Sequence, residues 1–257
     1  KKETKGICTL WDQLVQTQCD HRAQSFYKDT DDTAKIYVVR DDSRTLYPIE
    51  EQLNAHGPFS GLDRVLEELD SIAAINNVMV VIVFDEGVYN MHKNMIPPEN
   101  VSWYLVALRP NTVTIKMHSN RIAVNWPASI TFDNVRICML HRREHAFPFI
   151  WIGRGGTMSF NACIIEDHSN HHRATWEKVL RPIIYMSSLA SALLASNTTF
   201  QSKHLPLISC YTSNHMVEFK DCNFVHVDNR YGYCRRNTPP HLFVNLNHRY
   251  FARTNPP

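Results

Sequence analysis

Ile130-Thr131-Phe132-Asp133-Asn134-Val135-Arg136-Ile137 alternates apolar and polar residues, bends at one Asn and resumes its alternation. Three later stretches repeat it: Met158-Ser159-Phe160-Asn161-Ala162-Cys163-Ile164-Ile165, Leu193-Leu194-Ala195-Ser196-Asn197-Thr198-Thr199-Phe200 and Val217-Glu218-Phe219-Lys220-Asp221-Cys222-Asn223-Phe224. Each is a strand, a one-residue bend and the start of a second strand. The starts lie 28, 35 and 24 residues apart, so insertions fall between the repeats and spare the template itself. Period-two alternation turns Phe132, Phe160, Ala195 and Phe219 to one face and predicts that they stack in a single buried column. Asn134 and Asp221 stand at the bend, where the left-handed conformation costs Asn and Asp less than other non-glycine residues.

A repeat this short cannot bury its own apolar face. Stacking successive repeats ~4.8 Å apart completes both the hydrogen-bond ladder and the core. The pattern therefore predicts an all-β chain, a right-handed parallel β-helix. An antiparallel sandwich would carry hairpin turns every 8–12 residues or so, and among Asn-Gly, Asp-Gly and Gly-Gly pairs only Gly155-Gly156 occurs.

Upstream of the repeats, Leu62, Val65, Leu66, Leu69, Ile72 and Ala73 recur at three and four. They predict a capping helix over about 62–75, with Ser60 as N-cap and Asp63 in the first turn. Residues 78–84 form a dense β-branched run of buried-strand length. Earlier still, Leu10, Trp11, Leu14 and Val15 read as a helical face and Ile36–Val39 as a short strand. After these strands only 176–180 and 187–194 have any helical character. The expected organisation is a small mixed N-terminal segment (1–58), which stands as a possible separate module, the β-helix (59–235) and a C-terminal cap or linker (236–257).

The order of these elements resembles the start of the pectin lyase-like superfamily, in its pectinesterase-like and pectate-lyase-like members. The residues that carry the likeness are the helix from Leu62, the strand ending Gly87-Val88-Tyr89, Met95-Ile96-Pro97, the strand from Val101 and Asn111-Thr112-Val113-Thr114-Ile115. The likeness covers about 60–117, and the template extends it to about 226. It implies the fold. The family's chemistry does not follow, because its catalytic signatures are missing. Ile152-Gly153-Arg154-Gly155-Gly156 only echoes the pectinesterase Gly-Arg-Pro-Trp, and Asn-Thr-Asp and Gly-His-Gly do not occur. Asp167-His168 matches the pectate lyase Asp-His pair but lacks its Arg-x-Pro-x-x-Arg companion. In character the chain is closest to non-catalytic intracellular β-helix adaptors.

Composition narrows the function further. With 27 basic and 25 acidic residues and a formal net charge of +2, there is no clustered basic excess to argue for nucleic acid. No apolar run approaches the ~18 residues of a membrane span. Seven cysteines, an odd number without a Cys-x-x-Cys pair, point to free thiols and a reducing, cytoplasmic compartment. Two Asn-x-Ser/Thr sequons, at Asn100 and Asn197, keep a secreted or virion-surface location open. The chain opens Lys-Lys-Glu-Thr-Lys and reads as a piece of a longer protein, so its targeting signal is out of view.

Candidate binding residues fall into two charged runs and one turn. The densest run, Glu166 to Arg173, contains Asp167, His168, His171, His172 and Arg173. A second, His141 to His145, contains Arg142 and Arg143. Loops after neighbouring repeats would lie on one side and form a single basic, His-rich surface, with Arg154 in the Gly-rich turn. Zinc would need a fourth ligand beside Asp167, His168 and His171 or His172, and none stands at a recognisable spacing, so no metal or other cofactor is assigned. Trp151 is expected in the core and Trp126, before Pro127, at the surface, where aromatics beside Arg suit a sugar or a peptide. The expected function is a non-catalytic binding or scaffolding module for a protein or glycan partner. A lyase or esterase with a degenerate site at Arg154, Asp167, His168 and Arg173 is one alternative, and a viral or phage attachment or capsid protein the other.

Overall fold

The computed structural model describes residues 35–40, 56–71, 79–118, 120–140, 148–168, 183–187, 190–202, 208–210, 216–226 and 243–245. The described part begins with β1 (Lys35–Val39), β2 (His56–Phe59), a helix α1 (Leu62–Ser71), β3 (Met79–Phe84) and β4 (Gly87–Met91). The first complete triplet is β5 (Ser102–Ala107), β6 (Val113–Met117) and β7 (Ile122–Val124). The second is β8 (Ser129–Asp133), β9 (Val135–Met139) and β10 (Ile150–Ile152). The third is β11 (Thr157–Asn161), β12 (Ile164–Asp167) and β13 (Ile184–Met186). The last two are β14 (Ala192–Ser196), β15 (Thr199–Ser202) and β16 (Ile208–Cys210), then β17 (Met216–Lys220), β18 (Asn223–His226) and β19 (Phe243–Asn245).

These strands form three parallel sheets. Sheet A runs β17-β14-β11-β8-β5-β3-β1-β2, sheet B β18-β15-β12-β9-β6-β4 and sheet C β19-β16-β13-β10-β7. From β5 onward the chain visits A, B and C in the same order five times. The chain is thus all-β in character, with a single helix among the described residues. All three sheets send side chains into one core: Phe132 from A, Ile137 from B and Ile150 from C are each fully buried.

The four template bends are where the alternation placed them. Asn134, Ala162, Asn197 and Asp221 have φ of 58°, 49°, 50° and 54°, the left-handed region. The ladder runs through the bends without interruption: the N–H groups of Asn134, Ala162 and Asn197 donate to the carbonyls of Asn161, Ser196 and Lys220. The predicted column forms in register, Phe132 beside Phe160, Phe160 beside Ala195 and Ala195 beside Phe219. Phe132 and Phe160 stack with ring centroids 5.5 Å apart, and both are fully buried. Phe219 is only partly buried, because β17 is the outermost strand of its sheet.

Helix α1 presents Leu62, Val65, Leu66 and Leu69 to the core, each worth roughly 1.5–3 kcal/mol when buried. Asp63 does more than supply charge to the first turn. Its carboxylate accepts the backbone N–H groups of His92 and Lys93 at 3.0–3.2 Å and ties the helix to the end of β4. Residues 79–84 of the apolar run form β3, and both of its faces are buried, as its unbroken apolar character requires. Residues 192–194, inside the stretch with weak helical character, belong to β14 instead: parallel pairing with β11 on one side and β17 on the other overrides local propensity. The expected helix near Leu10 and the 176–180 candidate lie outside the described residues.

Candidate functional site

Strand parity sorts the outer faces of the sheets. On sheet C the central residues Ala123, Trp151 and Tyr185 stand side by side in register. Trp151 is not a core residue: its neighbours Ile150 and Ile152 are fully buried, and it takes the opposite face, half-buried. Its ring meets Tyr185 edge-on at 5.4 Å, and its Nε1 donates to Ser187 Oγ at 2.9 Å. The Arg121 guanidinium lies 6.0 Å from the Trp151 ring centroid, within range of a cation–π contact.

Trp126 stands in the turn after β7. It is 66% exposed, unusual for so large an aromatic. The Gly-rich turn makes room for it: a Cβ at Gly155 would lie 2.7–2.9 Å from the Trp126 side chain, and one at Gly153 would strike the Asn125 amide. Glycine there serves close stacking of two turns, joined by Trp126 N–H donating to the Arg154 carbonyl at 2.7 Å. Arg154 itself is exposed in that turn.

Of the predicted His-rich cluster, Asp167 and His168 are described, and parity divides them. Asp167 is 1% exposed and on the inward face of β12, whereas His168 is exposed. The pair therefore does not present two groups to one ligand. Arg142, Arg143, His171, His172 and Arg173 lie outside the described residues. Arg154 follows β10 of sheet C, on a different sheet from Asp167.

On the outer face of sheet B a different set comes together. Cys138 on β9 and Glu166 on β12 are register partners, and His168 continues the outward parity of Glu166. Cys138 Sγ donates to Glu166 Oε2 at 3.3 Å, and His168 Nε2 lies 2.9 Å from the same oxygen. Arg136 Nε stands 3.8 Å from the other carboxylate oxygen. Burial pushes the Cys138 thiol up to about 12, helped by the Glu166 hydrogen bond and charge. Burial alone would raise Glu166 as well. Its contacts with His168, Cys138 and Arg136 outweigh that and hold the carboxyl below the usual range. A neutral thiol is a poor nucleophile, so the cluster is not set up for thiolate catalysis. Sulfur, nitrogen and oxygen donors within 4.8 Å of one another are, however, a ligand set for a metal ion.

The sequence puts Glu166 at the head of the densest charged run but does not bring Cys138 to it, because 28 residues separate the two. The template held the signal: each follows the large apolar residue that closes its repeat, Ile137 and Ile165. Cys163, directly after the bend at Ala162, is buried on the inward side as a packing residue. Cys138, Cys163 and Cys222 are free thiols.

A search against protein-family models finds none that matches the chain, and no curated protein and no solved structure matches it either.

Proposed function

We propose that the chain is a right-handed parallel β-helix of the pectin lyase-like kind that binds a protein or glycan partner without turning it over. The threefold visiting order of the sheets, the left-handed bends and the continuous inner column support the fold reading. The observation that carries the function is the outer surface of sheet C, where Trp151 and Tyr185 lie beside Arg121, with Trp126 exposed at the next turn. Aromatic planes stack on the apolar faces of sugars or on extended peptides, and guanidinium groups pair with carboxylates. An acidic oligosaccharide or an acidic peptide segment is the ligand chemistry that fits.

The non-catalytic part of the reading rests on convergence. General acid–base chemistry needs ionisable groups aimed at one bond. Here Asp167 faces the core, His168 faces outward from sheet B, and Arg154 belongs to a turn of sheet C.

Calorimetric titration of acidic oligosaccharides and acidic peptides into the wild-type chain and Trp151→Ala tests the binding surface. The expected result is binding that weakens about tenfold in the variant, a loss of ~1.4 kcal/mol. Binding that ignores both Trp151→Ala and Trp126→Ala would move the site elsewhere. Release of unsaturated uronide or methanol from acidic polysaccharides by the intact chain, with or without calcium, would replace the binding reading with the enzymatic one.

A further inference from the structure

We propose that Cys138, Glu166 and His168 form a mononuclear site for a zinc-class divalent cation on the outer face of sheet B, its fourth position open to water. The site is separate from the aromatic surface of sheet C. Backbone pairing assembles it: Cys138 sits beside Glu166 in register, and the His168 N–H donates to the Met139 carbonyl at 3.0 Å, which continues the strand alignment one step further. Two of the side chains are thus delivered by paired strands and the third by the residue after β12, whose backbone N–H the neighbouring strand holds, the kind of rigid support a metal site needs.

The distances are close to those a metal would impose. Tetrahedral zinc with Zn–S of ~2.3 Å and Zn–N and Zn–O of ~2.0–2.1 Å holds its ligand atoms about 3.3–3.5 Å apart. Glu166 Oε2 lies 3.3 Å from Cys138 Sγ and 2.9 Å from His168 Nε2, and all three donor atoms fall within 4.8 Å of one another. A bound ion would lengthen the two Oε2 contacts by a few tenths of an ångström and draw Sγ and Nε2, within 4.8 Å of each other, toward about 3.5 Å. Mixed sulfur, nitrogen and oxygen donors select zinc-class ions over calcium or magnesium, which demand oxygen shells.

The charge balance also closes. On binding, the Sγ–H bond breaks, its proton goes to solvent and a Sγ–metal bond forms. Cysteinate and carboxylate together then neutralise the cation's two positive charges. Arg136 approaches Glu166 Oε1 and not Oε2, so it orients the carboxylate from behind as an outer partner while the inner oxygen faces the ligand set. His168 has 40% of its side chain exposed, which leaves a route for the water that completes four-coordination.

Cobalt(II) titration of the full chain, followed by absorption, distinguishes a metal site from a hydrogen-bonded cluster. The expected result is one cobalt per chain, tetrahedral d–d bands and a thiolate-to-cobalt charge-transfer band, with zinc displacing the cobalt. Cys138→Ser should abolish the charge-transfer band while the circular dichroism spectrum stays unchanged. His168→Ala, at an exposed position that folding does not depend on, should weaken cobalt binding at least about tenfold, as loss of even an outer partner can. The proposal is overturned if no stoichiometric binding occurs, or if the charge-transfer band survives Cys138→Ser. Should Cys138→Ser fail to fold, an unchanged spectrum and affinity in His168→Ala overturns it equally.

Discussion

Two aromatic groups in this molecule share chemistry and differ in address. Phe132 and Phe160 stack inside sheet A, both fully buried. Trp151 and Tyr185 pair on the outside of sheet C, half-buried, with Trp126 further out still. The first group holds successive rows of the core together. The second is available to something else. Hydrophobicity does not separate them, since every one is a large aromatic. Position parity does: Phe132 shares its face with fully buried Ile130, whereas Trp151 lies between two fully buried isoleucines and must take the other face. Polar handles agree with the addresses, since the Trp151 indole N–H reaches Ser187 while the phenylalanines need no partner.

The inner group gives the largest expected effect. Phe160→Ala removes a ring packed against Phe132 and, edge-on, against Phe200. It should cost ~3–5 kcal/mol of unfolding free energy in urea denaturation. A cost below about 1 kcal/mol, the range of a half-exposed site, would erase the distinction between the two groups.

The bends keep the parity, and they come next in magnitude. Asn134 holds φ of 58° and its Nδ2 donates to Asp133 Oδ1 at 3.0 Å. Asn134→Val places a β-branched side chain in the left-handed region and should destabilise by about 1–2 kcal/mol or more, measured by the same denaturation. Asn134→Gly should cost much less, because glycine enters that region freely. Equal losses in the two variants would mean that the side-chain hydrogen bond, and not the backbone conformation, makes the bend.

Ala162 is the one template bend without Asn or Asp, at φ 49°. Ala162→Asn should stabilise the chain by a few tenths to about 1 kcal/mol, read as a small rise in Tm. A fall in Tm would show that the pocket around this bend, not φ, selected alanine.

The smallest expected effect is at the outermost aromatic. Trp126→Ala should change unfolding free energy by no more than about 0.5 kcal/mol while it weakens ligand binding on sheet C. A large stability loss would make Trp126 a packing residue of the Gly155 turn, and the contrast with Phe160 would then be one of degree.

Much of this was legible from spacing alone. The four repeats located the bends and the inward column, because period-two alternation and left-handed tolerance are local properties of the chain, and the unbroken β-branched run over 78–84 located a buried strand. Helix α1 was legible for the same reason, by its three-and-four spacing. Trp151 was misplaced into the core because its flanking isoleucines gave it an apolar context. The parity that turns it outward depends on where β10 starts, and Ile150–Ile152 is too short to show that without its neighbours.

The candidate sites divide along the same line. Asp167 and His168 are adjacent in sequence, and proximity there made them look like one site, but alternation sends adjacent strand residues to opposite faces. Cys138 and Glu166 are 28 residues apart and meet because β9 and β12 pair. What the amino-acid order determined by itself was the repeating unit: its strands, its bends and the face each residue takes within it. Which residues of different units become neighbours was decided only by tertiary pairing, since register between rows depends on the insertions that separate them, and those carry no periodic signal.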